Sequence, residues 1–452
     1  MRRPTGADYR SLVRLALPLA AVQVGLMAMG LVDAAMVGRL SADALGAVAV
    51  AGVWFFAVST VGMGCVYALD PVIAQAHGAG DEPAIALGIQ RGLLIAALVT
   101  VPTMVGLLPV ELVLRFTGQA TPLVPLAGDY MTWVLPGIFP YFAFLVLRQT
   151  LQALGQVRPI LAVIVVANVL NAGLNWVLIY GHWGAPALGV RGSAIATTVS
   201  RWAMFVGLAL LTWRALERFL RPLRPEVFRW EPLKRMLAIG LPIGLQILFE
   251  YGVFGAVGLL LGRAGSASIA GHQIALNYAA ITFMVPLGVG AAAAVLVGRA
   301  VGAGDADGAR RMAAASVVIG AAFMLVAASV FLAVPTPLAS LYTTDATVVA
   351  IAASLIPIAG AFQVFDGSQA VAMGVLRGAG DTRVPVLINV FGYYGVGLPV
   401  GLWLGYEVGL GARGFWWGLV TGLAVVAVVL IWRIRHRLGR QAGRLEIDRA
   451  VG

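Results

Sequence analysis

The sequence predicts an all-α integral membrane protein: twelve transmembrane helices arranged as two parallel-repeat six-helix bundles. Three observations predict this. Of 452 residues, 60% belong to the hydrophobic set and only 11% are charged, too few to clothe a soluble protein of this length. Apolar runs of 20 or more residues recur along the whole chain, each able to cross about 30 Å of hydrocarbon. The second half of the chain also repeats the first. Because lipid cannot satisfy backbone polar groups, the apolar runs must be helical, so soluble globular and β-barrel folds both fail.

The spans fall at 12–37, 45–76, 85–114, 126–151, 159–182, 190–213, 234–262, 268–300, 309–341, 348–376, 384–407 and 410–434. Many exceed the minimum of about 20 residues, which implies tilt or extension beyond the bilayer. The chain holds 56 Gly and 22 Pro; in a membrane bundle Gly permits close packing, and neighbouring groups tolerate a Pro kink.

A net charge of +11 invites a nucleic-acid partner, but topology accounts for it better. With the N-terminus inside and loops assigned alternately, the inside set holds 25 of the 31 Lys and Arg residues. The outside loops hold five (Arg39, Arg115, Arg191, Arg263 and Arg413), and Arg201 lies within a span. That asymmetry follows the positive-inside rule and places both termini in the cytoplasm, with the basic segment 214–235 suited to lie along anionic headgroups. The opening MRRPTG is basic, yet no small-residue cleavage site follows an isolated short apolar stretch, so the first span is expected to be retained. The lone Cys65 permits no internal disulfide.

The repeat appears on self-comparison. At an offset of 224 residues, Ala16-Leu17-Pro18 meets Gly240-Leu241-Pro242, Gly38-Arg39 meets Gly262-Arg263, and residues 75–81 (QAHGAGD) meet 299–305 (RAVGAGD). Gly155 and Arg158 meet Gly380 and Arg383 at offset 225, and 188–192 (LGVRG) meet 410–414 (LGARG) at 222. GAGD turns recur by chance in Gly-rich membrane proteins, but not collinearly at near-constant spacing. Six spans per copy is an even number, so both copies enter the membrane from the same side and are parallel repeats. The expected organisation is an N-lobe at 1–213, a linker at 214–233 and a C-lobe at 234–452 with a basic tail, the lobes flanking a central cavity and rocking to give alternating access.

Four acids lie at membrane depth: Asp33, Asp70, Glu250 and Asp366. An ionisable group facing lipid costs about 2.5–3.5 kcal/mol even on insertion scales, so each should face a cavity or a partner. The bland alternative is a protonated or paired carboxyl that pins two helices. Four acids, with Arg201 as the basic candidate inside a span, favour function. The repeat sharpens this, because Asp33 maps to Val257, Asp70 to Ala294, Glu250 to Leu26 and Asp366 to Tyr141. The scaffold is duplicated and the carboxyls are not, as expected if each lobe has taken a separate task.

The fifth span adds Asn168, Asn171 and Asn175, whose spacing of three and four residues puts them on one helical face. They serve either as interhelical hydrogen-bonding groups or as neutral oxygens that, with Asp33 and the hydroxyl of Thr197 or Thr198, surround a small cation such as Na⁺. A carboxyl can hold a proton, a Na⁺ ion or an organic cation but not two of these well, and mutually exclusive occupancy is enough to drive antiport. Trp54, Phe55, Tyr141, Phe142, Tyr251, Phe254 and Phe283 would offer cation–π faces to flat cations; aromatics in spans are more often packing or interface anchors.

Several segments carry a family resemblance: AMVGRL (35–40), DPVIAQAHGAG (70–80), GLNWVLIYG (173–181), LGVRGSAIATTVS (188–200), GHQIALNYAAITFMVPLGVGAA (271–292), GRAVGAGD (298–305) and VAMGVLRGAGDTRVP (371–385). In these the chain resembles the multidrug and toxic compound extrusion (MATE) transporters of the NorM type, in order and over essentially its whole length. The resemblance implies two V-arranged bundles in a bacterial inner membrane, exporting cationic, amphiphilic drugs against H⁺ or Na⁺ entry, with no cofactor and one chain as the functional unit. It also implies that Asp33 is the N-lobe acid, grouped with Asn171, Asn175 and a nearby Thr, and that Glu250 and Asp366 are the C-lobe acids. Two positions depart from the pattern. Phe362 stands one turn before Asp366 where the family often has Tyr, which weakens a Na⁺ site in that lobe, and Asp70 has no family counterpart.

Competing functions fare worse. The only lysine, Lys234, stands between Leu233 and Arg235, so there is no phosphate-binding GK[ST] loop and no ATP-driven pump. There is no HExxH, no CxxC and no nucleophile-elbow serine, so an intramembrane enzyme is not expected. A lipid-linked oligosaccharide flippase of the wider superfamily is the main alternative, but acids at membrane depth repel phosphate. A channel would lack tight exchange.

Overall fold

A computed structural model describes residues 3–262, 265–439 and 443–448. Arg263, the Gly262-Arg263 match that includes it, and the tail arginines Arg440 and Arg449 lie outside the described residues. Among the described residues, twelve helical stretches are long and apolar enough to cross a membrane: α1 (Gly6–Val37), α2 (Ala42–Gly78), α3 (Glu82–Leu107), α4 (Leu123–Ala153), α5 (Arg158–Tyr180), α6 (Val190–Leu220), α7 (Trp230–Leu261), α8 (Ser266–Gly302), α9 (Ala306–Ala333), α10 (Ala346–Gly378), α11 (Arg383–Glu407) and α12 (Ala412–Gly439). No strand occurs among the described residues. The all-α, twelve-span expectation therefore holds, with three corrections at helix ends. The third span stops at Leu107 and restarts as a short helix, Val110–Phe116, after Pro109; the ninth stops at Ala333 and restarts at Pro335–Ser340. Proline cannot donate to the preceding turn and breaks both runs. Between the repeats, α6 continues to Leu220 and α7 begins at Trp230, so residues 221–229 connect them.

The repeated motifs fold identically. In 75–81 and 299–305, Gly80 (φ +68°) and Gly304 (φ +72°) take the left-handed conformation that ends a helix. The next residue caps the following helix: the Asp81 carboxyl accepts from the Ala84 amide at 3.0 Å, and that of Asp305 from the Gly308 amide at 2.7 Å. Asp81 and Asp305 also donate their own amides to the carbonyls of Ala76 and Ala300, at 3.0 and 2.9 Å.

The chain forms two compact units. Among the described residues, one contains those up to Gln23, Gly78–Gly80 and Leu245–Leu445; the other contains Val24–His77, Asp81–Gly244 and Glu446–Asp448. Both α1 and α7 are thus divided, at corresponding places in the two repeats. The first part of α7 packs on α2, where a Cβ on Gly64 would collide with the backbone of Gly244 and Gly240. The first part of α1 packs on α8 in the other unit, where a Cβ on Gly288 would collide with the backbone of Ala20. Gly64 and Gly288, like Ala20 and Gly244, are 224 residues apart. Small residues at these crossings bring backbones into contact, which drives helix association where lipid removes the hydrophobic incentive.

Candidate functional site

In the unit containing most of the first repeat, α1, α5 and α6 bring together Asp33, Asn171, Asn175 and Thr197. Asn171 and Asn175 are fully buried, and Asp33 and Thr197 are nearly so. The Asn175 Nδ2 donates to Asp33 Oδ1 at 2.5 Å and to Asn171 Oδ1 at 3.1 Å, while the Thr197 hydroxyl donates to Asp33 Oδ2 at 3.0 Å. Both carboxylate oxygens are therefore held by fixed donors. Asn171 Nδ2 and Asn175 Oδ1 have no hydrogen-bond partner among the described residues, which leaves one amide oxygen of the stripe available beside the acid. Tyr130 and Arg201 lie within electrostatic reach of Asp33.

Two of the expected ligands point elsewhere. Thr198 gives its hydroxyl to the Trp133 carbonyl at 2.7 Å; one residue beyond Thr197, it is rotated about 100° around α6 and so faces α4. Asn168 donates to the carbonyls of Gly25 and Ile164, at 3.0 and 2.8 Å, and so pins α5 to α1. Asp70 stands apart from this cluster. The helix breaks at Ala68 and resumes at Leu69, and the buried Asp70 accepts from Gln149 Nε2 at 2.6 Å. Gln149 in turn accepts from Arg148, which also reaches the Tyr67 hydroxyl at 3.4 Å. Arg148 and Arg91 are thus buried arginines inside helices, within spans 126–151 and 85–114, although the inside charge count includes both. Arg91 is held by both oxygens of Asp448, at 2.6 and 2.9 Å. Tyr141 lies against Arg201, 5.1 Å from its guanidinium carbon, with Phe55 at 4.4 Å on the same cation.

In the other unit, α7 and α10 bring Glu250 and Asp366 within electrostatic reach of each other. Asp366 is buried and Glu250 is half-buried. Gln246, one turn before Glu250, hydrogen-bonds it. Tyr393 from α11 faces both acids and donates its hydroxyl to Gln369 Oε1 at 2.8 Å. Aromatic rings wall the site: Phe254 packs edge-on to Phe362 at 5.8 Å and to Tyr393 at 6.3 Å, and Phe362 packs on Trp416 at 5.5 Å. Tyr251 is substantially exposed, at 38%. Sequence reasoning missed Gln246, Gln369 and Tyr393. The first two share helical faces with Glu250 and Asp366 at spacings of four and three, a signal that was available. Tyr393 arrives from another helix, within a π-helical stretch, Phe391–Gly397, where helical periodicity misplaces side chains.

Twelve spanning helices in two repeated halves, with unlike acids held inside each, define a polytopic membrane transporter. The chain belongs to the MatE family, whose model matches residues 18–177 and again 242–403, two segments that begin at the repeat offset. It is 38% identical over 429 residues to the multidrug resistance protein NorM of Burkholderia vietnamiensis, covering 93% of this chain and 92% of that protein. It is 36% identical over 450 residues to a probable multidrug resistance protein NorM of Rhizobium meliloti, covering 96% and 94%. Its fold matches the crystal structure of the eukaryotic MATE transporter AtDTX14 with a TM-score of 0.88 at 25% identity, covering 96% of this chain and 97% of that one.

Proposed function

We propose that this transporter is a secondary active multidrug efflux antiporter. It exports organic cations and amphiphilic drugs across a bacterial inner membrane in exchange for H⁺ or Na⁺, by alternating access, as a monomer with both termini in the cytoplasm. The observation that carries the proposal is the acid in each half: Asp33 between Asn175 and Thr197, and Asp366 beside Glu250 against an aromatic wall. Carboxyls at membrane depth mark ion and substrate pathways, and the names of the full-length relatives support drugs as cargo. A small ion and a drug cation that exclude one another at coupled acids exchange without a cofactor or a nucleotide.

Between the two ions, local chemistry favours the proton. Phe362, one turn before Asp366, offers no hydroxyl where a Na⁺ ligand could stand. The test is ethidium efflux from proteoliposomes under an imposed pH gradient and then under a Na⁺ gradient. Efflux driven by the pH gradient is expected. Efflux under neither gradient rejects antiport, and movement of a lipid-linked oligosaccharide without ethidium efflux would select the flippase.

A further inference from the structure

The connection between the repeats is fastened by its backbone and turns large side chains outward. Residues 221–229 join α6 to α7. Gln90 on α3 donates its Nε2 to the carbonyls of Phe219 and Pro222, at 2.8 and 3.1 Å, and its Oε1 accepts from the Arg224 amide at 3.0 Å. Arg91 Nη2 donates to the Glu226 carbonyl at 2.9 Å. Gln90, Arg91 and Val227 are buried, so the polar main chain of the connection is served from within. Its outer side is unlike a water-facing loop. Leu223, Phe228 and Trp230 are exposed at 62%, 62% and 61%, and Arg214, Arg221 and Arg229 are exposed among them. The Arg221 guanidinium lies 5.2 Å from the centre of the Trp213 ring. From Trp213 to Trp230 the chain carries five arginines and two glutamates, a net charge of +3 (5 − 2).

Bare apolar side chains interleaved with arginines suit the headgroup layer of a bilayer. Trp settles at that boundary, arginine stems lie along apolar surface with their charge outward, and anionic headgroups attract the charge. The ends of two spanning helices place the segment at the membrane face, on the side that the arginine excess marks as cytoplasmic. Arg218 is held by Glu82 at 3.2 Å. Arg221 approaches Glu217 at 3.8 Å, but both are well exposed, and such a pair is weak. We propose that the segment Trp213–Trp230 is a docking surface for anionic phospholipid headgroups. Leu223, Phe228 and Trp230 enter the boundary with the acyl chains, and Arg214, Arg221 and Arg229 meet the phosphates. The lipid then holds the ends of α6 and α7, the helices that carry Thr197 and Glu250. This surface is independent of the cargo and of the coupling ion.

The test uses the full chain in lipid nanodiscs, with a bimane fluorophore on Phe228→Cys. Cys65, the only native cysteine, is buried, so labelling is selective. Quenching by acrylamide, which is neutral and stays in water, reports whether the label is submerged. In discs of phosphatidylcholine with about one third phosphatidylglycerol, the quenching constant should be about threefold lower than in phosphatidylcholine alone. Raising NaCl to about 1 M, where the Debye length is about 3 Å, should remove most of that difference. Adding Arg214→Gln, Arg221→Gln and Arg229→Gln together should give the phosphatidylcholine value in both lipids, while the three corresponding lysine substitutions should keep the protection. Equal quenching of the starting protein in the two lipids overturns the inference, whether the label is protected in both or in neither. So does undiminished protection in the triple glutamine variant, shown folded by its melting curve. If inorganic phosphate added to phosphatidylcholine discs protects the label as phosphatidylglycerol does, the surface takes free phosphate rather than lipid, and the inference falls.

Discussion

The two repeats share their helix-ending turns and close helix crossings and differ in the acids they place at membrane depth. Gly80 and Gly304 end helices with the same left-handed turn, Asp81 and Asp305 cap the next helix through the same atom, and Gly64 and Gly288 each accept a crossing helix at the same position of the repeat. Asp33, by contrast, sits among amide and hydroxyl donors, while its counterpart Val257 is buried in an apolar cluster. Glu250 and Asp366 face each other among rings. The Asp33 cluster holds a single acid with its donors already in place, with Asp70 apart from it on Gln149; the other unit pairs two acids whose like charges a cation or a proton relieves. Duplication supplied the same frame twice, and the acids within it were placed separately in each copy.

The largest effects should fall on the acids. Glu250→Gln and Asp366→Asn are each expected to lower drug resistance in a sensitised host to that of an empty vector, at unchanged protein level on an immunoblot. Wild-type resistance in both would break the comparison outright. Asp33→Asn should leave ethidium binding in place and stop ion-driven efflux from proteoliposomes, since it keeps the shape of the site and removes its charge. If all three variants lose binding and efflux alike, the halves do not have separate tasks.

Smaller, graded effects should follow around Asp33. Loss of a hydrogen bond to a charged group costs about 1.5–3 kcal/mol, so Asn175→Ala should slow initial efflux by about tenfold or more. Thr197→Val removes the second donor to the same acid and should slow it less, by a few-fold. Thr198→Val, whose hydroxyl serves the Trp133 carbonyl, should leave the rate within about twofold. Equal effects of the two threonines would mean that α6 presents the other face to the acid.

That pair marks where the sequence stopped being informative. Span number, the repeat and the unmatched acids were all legible, because hydropathy, collinear motifs and the rarity of charge at membrane depth are properties of the chain itself. The choice between Thr197 and Thr198 depends on the rotation of α6 against α1, which no local pattern encodes. Asn168 shares a face with Asn171 and Asn175 yet is used to bind Gly25, because a stripe of amides is long enough to serve two purposes along its length. The division of α1 at Gln23 and of α7 at Gly244 was hidden for a different reason. A continuous helix gives no sign of changing neighbours, and the glycines that permit it look like the other glycines of a membrane bundle. Arg91 and Arg148 fall within spans 85–114 and 126–151 yet enter the inside charge count, and the sequence does not show the Asp448 and Tyr67 contacts that hold them within helices.

The scaffold side of the comparison can be sharpened through stability. Gly64→Ala and Gly288→Ala each place a methyl group against backbone that cannot yield, so both should lower the thermal midpoint in detergent by several degrees, and by similar amounts. A large loss at one position and none at the other would show that the two crossings carry unequal loads, despite their equal spacing in the sequence.

The smallest expected effect tests the symmetry most finely. Asp81→Ala and Asp305→Ala each remove one side-chain acceptor from a helix start, a change worth about 1 kcal/mol. Asp305 also approaches Arg311 at 3.9 Å, but that carboxylate is 54% exposed, and a pair so solvated adds little. The two variants should therefore shift the thermal midpoint by nearly the same small amount, and the double variant by about the sum, because the two carboxyls cap different helix starts in different repeats. Efflux by each single variant should stay near wild type, since each carboxyl serves as a cap at its own helix start. If one cap variant instead abolished transport while its twin did not, the turns would have diverged in function as the acids have, and the separation drawn here between a common frame and specialised charges would fail at its most conservative point.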